Sequence, residues 1–306
     1  MRIIKKTNID FLGRTNITTL LSFFLISAGI ISMVLNGGPK LSIDFKGGTL
    51  VAVNYTEPVN IEKIRSELSS VLIDGQSFNF SNAEIKYFGD ESNIAVRIAS
   101  MEEEPEQFSK KFSDKLASIF PNLVPVDKNN FILSVEKVGP KVGAELSSDA
   151  LMAILSALLL ILIYVSVRFE FKYAVGAIAA LVHDVLITIG VFSILGYEIS
   201  LAVIAAFLTI VGYSLNDTIV IFDRVRENVK TTKNAPMKNI INQSINESLS
   251  RTIITSLTTF FVVLILFLFG GEVIHTFSFA MIVGVLIGTY SSIFVASPLV
   301  IKMDSK

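Results

Sequence analysis

Six stretches of the chain, 16–35, 150–167, 173–195, 200–222, 252–269 and 274–300, are long and apolar enough to cross a lipid bilayer. A helix needs about 20 mostly apolar residues to do so. Backbone inside lipid must satisfy its own polar groups, and a helix does this within one segment. Between the first and second stretches lies a polar region, 36–149. The pattern predicts one membrane helix, an inserted soluble domain and then five more helices. Residues 1–15 and 301–306 form the ends, and 223–251 is expected as a loop. Composition agrees: 51% of the 306 residues are hydrophobic and 17% are charged, which argues against a soluble enzyme and a disordered chain. A net charge of −1 gives no basic footprint for nucleic acid. The absence of cysteine removes disulfides and thiolate metal sites. The only histidines are His183 and His275. No metal or other cofactor is expected.

The lysines and arginines predict orientation, because cytoplasmic loops collect them. With the N-terminus in the cytoplasm, that side holds Arg2, Lys5, Lys6, Arg14, Arg168, Lys172, Arg224, Arg226, Lys230, Lys233, Lys238, Lys302 and Lys306, with Arg251 at its edge. The opposite short loops, 196–199 and 270–273, carry Glu198 and Glu272 and no Lys or Arg. Six spans return the C-terminus to the cytoplasm and leave 36–149 outside, in a periplasm or its equivalent. The first span is longer than the 7–15 residues of a signal-peptide core, and no A-x-A-type site follows it. It reads as a retained anchor.

The insert reads as a small α/β domain. A strand over 47–55 follows a glycine turn. A helix over 59–70 places Ile61, Ile64 and Leu68 on one face. Alternation over 83–88 and 93–99, with a turn at 89–92, predicts a hairpin. A helix over 104–120 aligns Phe108, Phe112, Leu116, Ile119 and Phe120, and a last strand covers 131–138. Glu102–Glu104 and Glu106 are expected at that second helix's N-terminus, where its dipole favours acids. The order β-α-β-β-α-β is the ferredoxin-like pattern. The insert shows no nucleophile–base pair, metal cluster or phosphate loop.

Polar residues within the spans are the candidates for function. An ionised Asp at a span centre costs about 2.5–3.5 kcal/mol, so it should face protein or water. Asp184, beside His183, shares a face with Gly176, Ala180 and Thr188. It reads either as an interhelical packing residue or as part of an ion path. Asp217 lies about a turn and a half inside the fourth span, with Tyr213, Ser214 and Asn216 close by. Thr252, Thr255, Ser256 and Thr259 form a hydroxyl stripe on the fifth span, led by Arg251. Such a stripe either caps its own backbone or lines a wet proton path. Ala280, Gly284, Gly288, Ser292 and Ala296 recur every four residues in the sixth span and predict a helix-packing face. His275 is given no role.

Five motifs occur in order: SIDFKGGT at 42–49, VGPKVG at 138–143, VRFE at 167–170 with GAIAALVHDV at 176–185, YSLNDTIVIFDRVREN at 213–228, and SRTIITSLTT at 250–259. In these motifs and their topology the chain resembles the SecF family, the smaller subunits of the SecD–SecF complex of protein export, in the resistance-nodulation-division superfamily. The resemblance covers nearly the whole chain. It implies six spans with a periplasmic ferredoxin-like domain, in a bacterial inner membrane. The implied partners are SecD, the SecYEG translocon with its associated insertase, unfolded preprotein and membrane lipid. The implied role is completing preprotein movement with the proton-motive force, the proton gradient being the energy source. Asp217 corresponds to the family's fourth-span acid and Arg251 to its fifth-span arginine, both tied to proton conduction, with Asp184 a further candidate.

On this reading, proton uptake at Asp217 changes its attraction to Arg251 and biases helix packing. Tyr213, Ser214, Asn216, Thr255, Ser256 and Thr259 would support the polar path. Gly139, Pro140 and Gly143, where the second span meets the insert, would pass movement to the soluble domain. One charge crossing 100 mV releases about 2.3 kcal/mol, enough to bias such a switch. Two rival readings are a small-molecule or lipid transporter subunit of the same superfamily and a non-transporting scaffold.

Overall fold

The structure is a computed structural model that describes residues 7–101, 104–127, 130–232 and 235–304. Arg2, Lys5, Lys6, Lys233 and Lys306 of the basic side, and Glu102 and Glu103 of the acidic run, lie outside the described residues. So do the side chains of Glu272 and Val273. The chain divides into a membrane unit, Met1–Lys40 with Ala150–Lys306, and a soluble unit, Leu41–Asp149.

The first membrane helix is α1, Thr15–Leu35. The soluble unit opens with a single turn, α2 (Ile43–Lys46), capped by the Ser42 hydroxyl, which accepts from Asp44 N. Gly47 and Gly48 then reverse the chain with φ of 73° and 130°. At Gly48 a Cβ would lie 2.3 Å from Ile98 O, so only glycine fits both the conformation and the contact. Strand β1 (Gly48–Asn54) follows, then α3 (Ile61–Glu67), capped by the Asn60 side chain. A small hairpin, β2 (Val71–Ile73) and β3 (Gln76–Phe78), turns at Asp74–Gly75, where both residues have positive φ. After it come β4 (Glu84–Phe88), β5 (Asp90–Ile98), α4 (Phe108–Ile119) and β6 (Ile132–Val138).

The four-stranded sheet is antiparallel in the order β4-β5-β1-β6. Val51 pairs with Val96 on one side and with Val135 on the other. This is the expected ferredoxin-like order, with the β2–β3 hairpin and α2 added. Val51, Val53, Ile94 and Val96 pack with Ile64 and Leu68 of the α3 region and with Phe108, Phe112 and Leu116 of α4. Fully burying each such side chain stabilises by about 1.5–3 kcal/mol. Tyr55 donates to Leu116 O at 2.8 Å, and burial pushes its phenol pKa upward. Of the acids expected at the start of the second helix, Glu104 and Glu106 precede it instead. Pro105 disfavours helical backbone at Glu104, Gln107 takes φ 54°, and Glu104 pairs with Lys137.

The remaining membrane helices are α5 (Pro140–Arg168), α6 (Phe171–Leu195), α7 (Leu201–Thr231), α8 (Met237–Phe269) and α9 (Glu272–Ser291). A π-helical turn, Ser292–Ala296, leads from α9 into α10 (Ser297–Asp304), so the sixth span is one path with a bulge. Residues 223–251, expected as a loop, are mostly helical: α7 continues to Thr231 and α8 begins at Met237. These helix ends are polar, and Asn228 ties them together by donating to Ser244 and Glu247, each at 3.0 Å.

Helices α6, α7 and the sixth span form the inner layer, each about half buried. Helices α1, α5 and α8 expose most of their apolar residues. The small residues set the inner contacts, as expected of the sixth-span stripe. A Cβ on Gly284 would lie 2.3 Å from Ile210, and one on Gly288 would lie 2.9 Å from the Cβ of Ser214. Gly29 of α1 and Gly190 of α6 meet backbone to backbone. Without a hydrophobic force between helices in lipid, such close approach is what holds them.

Candidate functional site

Asp217 on α7 is 2% exposed. Its hydrogen bond comes from the Ser256 hydroxyl on α8, at 3.4 Å. Ser256 also meets Thr289 of α9 at 2.7 Å, and Thr289 donates to Val285 O at 2.9 Å. A serine hydroxyl has one hydrogen. With Thr289 donating to its own backbone, Ser256 directs that hydrogen to Thr289 over the shorter path. The Asp217 carboxyl is therefore left without a full-strength donor among the described residues. Buried polar groups usually have partners, and exceptions call for a functional account.

Two further hydroxyls nearby are also unpartnered. Tyr213 Oη lies one turn before Asp217, and Thr252 Oγ1 lies one turn before Ser256. Both are buried, and neither has a hydrogen bond among the described residues. Buried water is the usual partner of such groups. No ion pair joins Arg251 to Asp217 among the described residues. Arg251 instead lines a polar cavity of about 1070 Å³ with Arg224, Asn228, Asn242, Asn246 and Glu247.

The structure separates some residues that the sequence grouped together. Ser214 donates to Asp184, not to Asp217. The two lie about 60° apart on one side of α7, enough for Ser214 to reach α6 while Asp217 meets α8. Asn216 is exposed, since one residue turns the helix by about 100°. Thr255 back-bonds to Arg251 O at 3.1 Å and Thr252 O at 2.9 Å. Thr259 is half-buried and makes no hydrogen bond to Asp217. At the start of α5, Pro140 takes the first helical position, where its missing N–H costs nothing. Gly143 N bonds Gly139 O, and a Cβ on Gly143 would lie 2.8 Å from Phe45 O. Gly143 is thus a close-contact glycine within the soluble unit.

Asp184 on α6 is fully buried and well satisfied. It accepts from Ser214 at 2.6 Å and Ser291 at 2.8 Å, and it meets His183 Nδ1 at 2.9 Å. The sequence reading did not identify Thr289, Ser291 or Tyr290. The sixth-span stripe reads as packing alone, and these hydroxyls lie beside it on the same helix path.

Comparison with known proteins places this geometry in a family. Residues 120–306 match the family described as protein export membrane protein SecD/SecF, C-terminal. The protein translocase subunit SecF of Calditerrivibrio nitroreducens is 46% identical over 100% of this chain and 97% of its own length. That of Vibrio alginolyticus is 41% identical over 96% and 90%. The crystal structure of SecDF, a translocon-associated membrane protein from Thermus thermophilus, superposes with a TM-score of 0.85 at 36% identity, covering 98% of this chain. A second SecDF crystal structure, in a super-membrane-facing form, matches with a TM-score of 0.69. This chain spans 39% of the Thermus protein's length. Since the likeness to the SecF subunits runs end to end, through both the soluble insert and the polar bundle, the chain belongs to the SecF family of protein translocase subunits, membrane components of protein export and not enzymes.

Proposed function

We propose that the chain works with a SecD partner to complete preprotein translocation, driven by the proton-motive force through Asp217 and Arg251. One observation carries this reading: Asp217 is buried within a membrane helix and lacks a full-strength donor. A carboxyl held this way can gain or lose a proton without breaking a built network. The unpartnered hydroxyls of Tyr213 and Thr252 supply places for water beside it. The cavity at Arg251 supplies a wet approach from the end of the bundle rich in lysine and arginine.

That basic end lies in the cytoplasm and 36–149 lies in the periplasm of a bacterial inner membrane, by the distribution of Lys and Arg. The energy source is the gradient, with no bound cofactor. The SecD partnership is supported by the fused SecDF relatives, whose remaining length this chain does not supply. The SecYEG translocon, its insertase, lipid and an unfolded preprotein complete the assembly. Gly139, Pro140 and Gly143 pass bundle movement to the soluble domain by keeping the first turn of α5 tight against the Phe45–Gly47 turn.

The test is preprotein export under a proton gradient with Asp217→Asn in the assembled complex. Loss of the gradient-dependent part of export, with the complex intact, is the expected result. Normal export would reduce Asp217 to a packing residue and favour the scaffold reading.

A further inference from the structure

Among the buried titratable groups that the proposed mechanism leaves unused is His183, and its surroundings form a continuous chain. Its Nδ1 meets Asp184 at 2.9 Å and its Nε2 meets the Ser22 hydroxyl of α1 at 3.0 Å. Ser22 meets Tyr290 Oη of α9 at 2.9 Å, and Tyr290 donates to Thr18 O of α1 at 2.6 Å. The His183 and Tyr290 rings stack with centroids 5.9 Å apart.

Counting hydrogens shows what this chain can hold. Tyr290 has one hydrogen, committed to Thr18 O. Ser22 has one, and two acceptors compete for it: Tyr290 Oη and His183 Nε2. Ser214 and Ser291 both donate to Asp184 Oδ2, and an ionised Asp184 takes the hydrogen of Nδ1 on its Oδ1, which leaves Nε2 without one on a neutral ring. With a single ring hydrogen, either the Nε2–Ser22 contact or the Ser22–Tyr290 contact has no hydrogen in it. A second ring hydrogen, on Nε2, completes both. The chain thus has a place for one proton more than a neutral imidazole brings.

A route to that place is also present. His183 and Ser22 line a cavity of about 570 Å³ together with Thr15, Thr19, Lys238 and Lys302. The two lysines mark its basic end, and the α1 hydroxyls lead inward from there.

We propose that His183, Asp184, Ser22 and Tyr290 form a second proton-binding centre, which takes its proton through this cavity and on doing so ties α1 to α6 and α9. The proton adds to the Nε2 lone pair. The Ser22 hydrogen turns from Nε2 to Tyr290 Oη, and no heavy-atom bond changes. The added positive charge is offset by the Asp184 carboxylate beside it. The other groups that meet the imidazole are neutral: Ser22 on α1 and Tyr290 on α9. On α7, Ser214 reaches the pair through Asp184. Lys238 of α8 and Lys302 of α10 are the charged groups along the cavity. Helix α1 carries no charged residue. The Asp217 contacts use Ser256 and Thr289 instead, so this centre stands whether or not Asp217 carries the driving proton.

The test uses the full chain in lipid vesicles with ¹⁵N-labelled histidine, and His275→Gln removes the second signal. The pH is lowered from about 8 to 5, the span over which a histidine free in water changes charge. The expected result is passage of His183 from one protonated ring nitrogen to two. Tyr290→Phe, which removes the acceptor for the Ser22 hydrogen, is expected to lower the doubly protonated fraction several-fold at a given pH. A His183 that holds one state throughout the range overturns the proposal in the wild type alone. A Tyr290→Phe protein that folds and titrates like the wild type also overturns it.

Discussion

Two buried acids lie on facing helices of this bundle, and they are treated in opposite ways. Asp184 is met by three groups at 2.6 to 2.9 Å. Asp217 has one hydrogen bond among the described residues, at 3.4 Å, from a hydroxyl also engaged elsewhere. Both side chains come from membrane segments, so the difference is not one of depth alone. A carboxylate with several charge-assisted hydrogen bonds is fixed in place, each bond worth about 1.5–3 kcal/mol. A carboxylate without them keeps the desolvation cost and little compensation, a condition tolerated where function needs it. The contrast teaches that burial and residue type leave the two acids alike; the count of donors around each separates them.

The comparison breaks most readily at Asp184. Asp184→Leu leaves His183, Ser214 and Ser291 without their acceptor and is expected to cost about 3–5 kcal/mol of stability. Asp217→Leu is expected to cost no more than about 1 kcal/mol, because it removes one long hydrogen bond. Denaturant unfolding of the two variants in the same detergent checks the order, and equal losses would erase the distinction.

The donors give a finer version of the same contrast. Ser214→Ala removes a 2.6 Å bond to Asp184 and should cost about 1.5–3 kcal/mol, as bonds to charged groups do. Gly288→Ala places a Cβ 2.9 Å from the Cβ of Ser214. It should destabilise by about 1–3 kcal/mol through overpacking, and Ser214→Ala, which keeps that Cβ, should relieve little of this loss when the two are combined. Thermal unfolding of the single and double variants reads both effects. Smallest of all is Ser256→Ala, expected at about 1 kcal/mol or less in stability. A loss as large as that of Ser214→Ala would show that Asp217 is held as firmly as Asp184.

Much of this architecture is written in local sequence. The six spans follow from hydropathy, and the ferredoxin-like order follows from alternation and helical spacing between turns. The Asp74–Gly75 turn of the extra hairpin had a legible signal, a turn dipeptide between apolar runs, and the sequence reading passed over it. The polar ends of α7 and α8 carry no apolar run, so hydropathy stops short of where those helices stop. The two acids were legible as candidates, but their environments were not. Ser214 was grouped with Asp217 by nearness along α7, and its partner proved to be Asp184 on α6, a contact 30 positions away in sequence. Thr289 and Ser291 were hidden for the same reason: which helix a hydroxyl faces is set by packing between helices, and the Gly288–Ser214 approach is a tertiary fact.

The most direct measurement is proton flux into vesicles holding the chain with its SecD partner, with an unfolded polypeptide supplied on the side that carries residues 41–149. Wild type, Asp217→Asn and Ser256→Ala are compared at equal assembly. Flux that depends on the polypeptide, is abolished in Asp217→Asn and survives in Ser256→Ala is the expected result. Undiminished flux in Asp217→Asn would contradict a proton path through that acid.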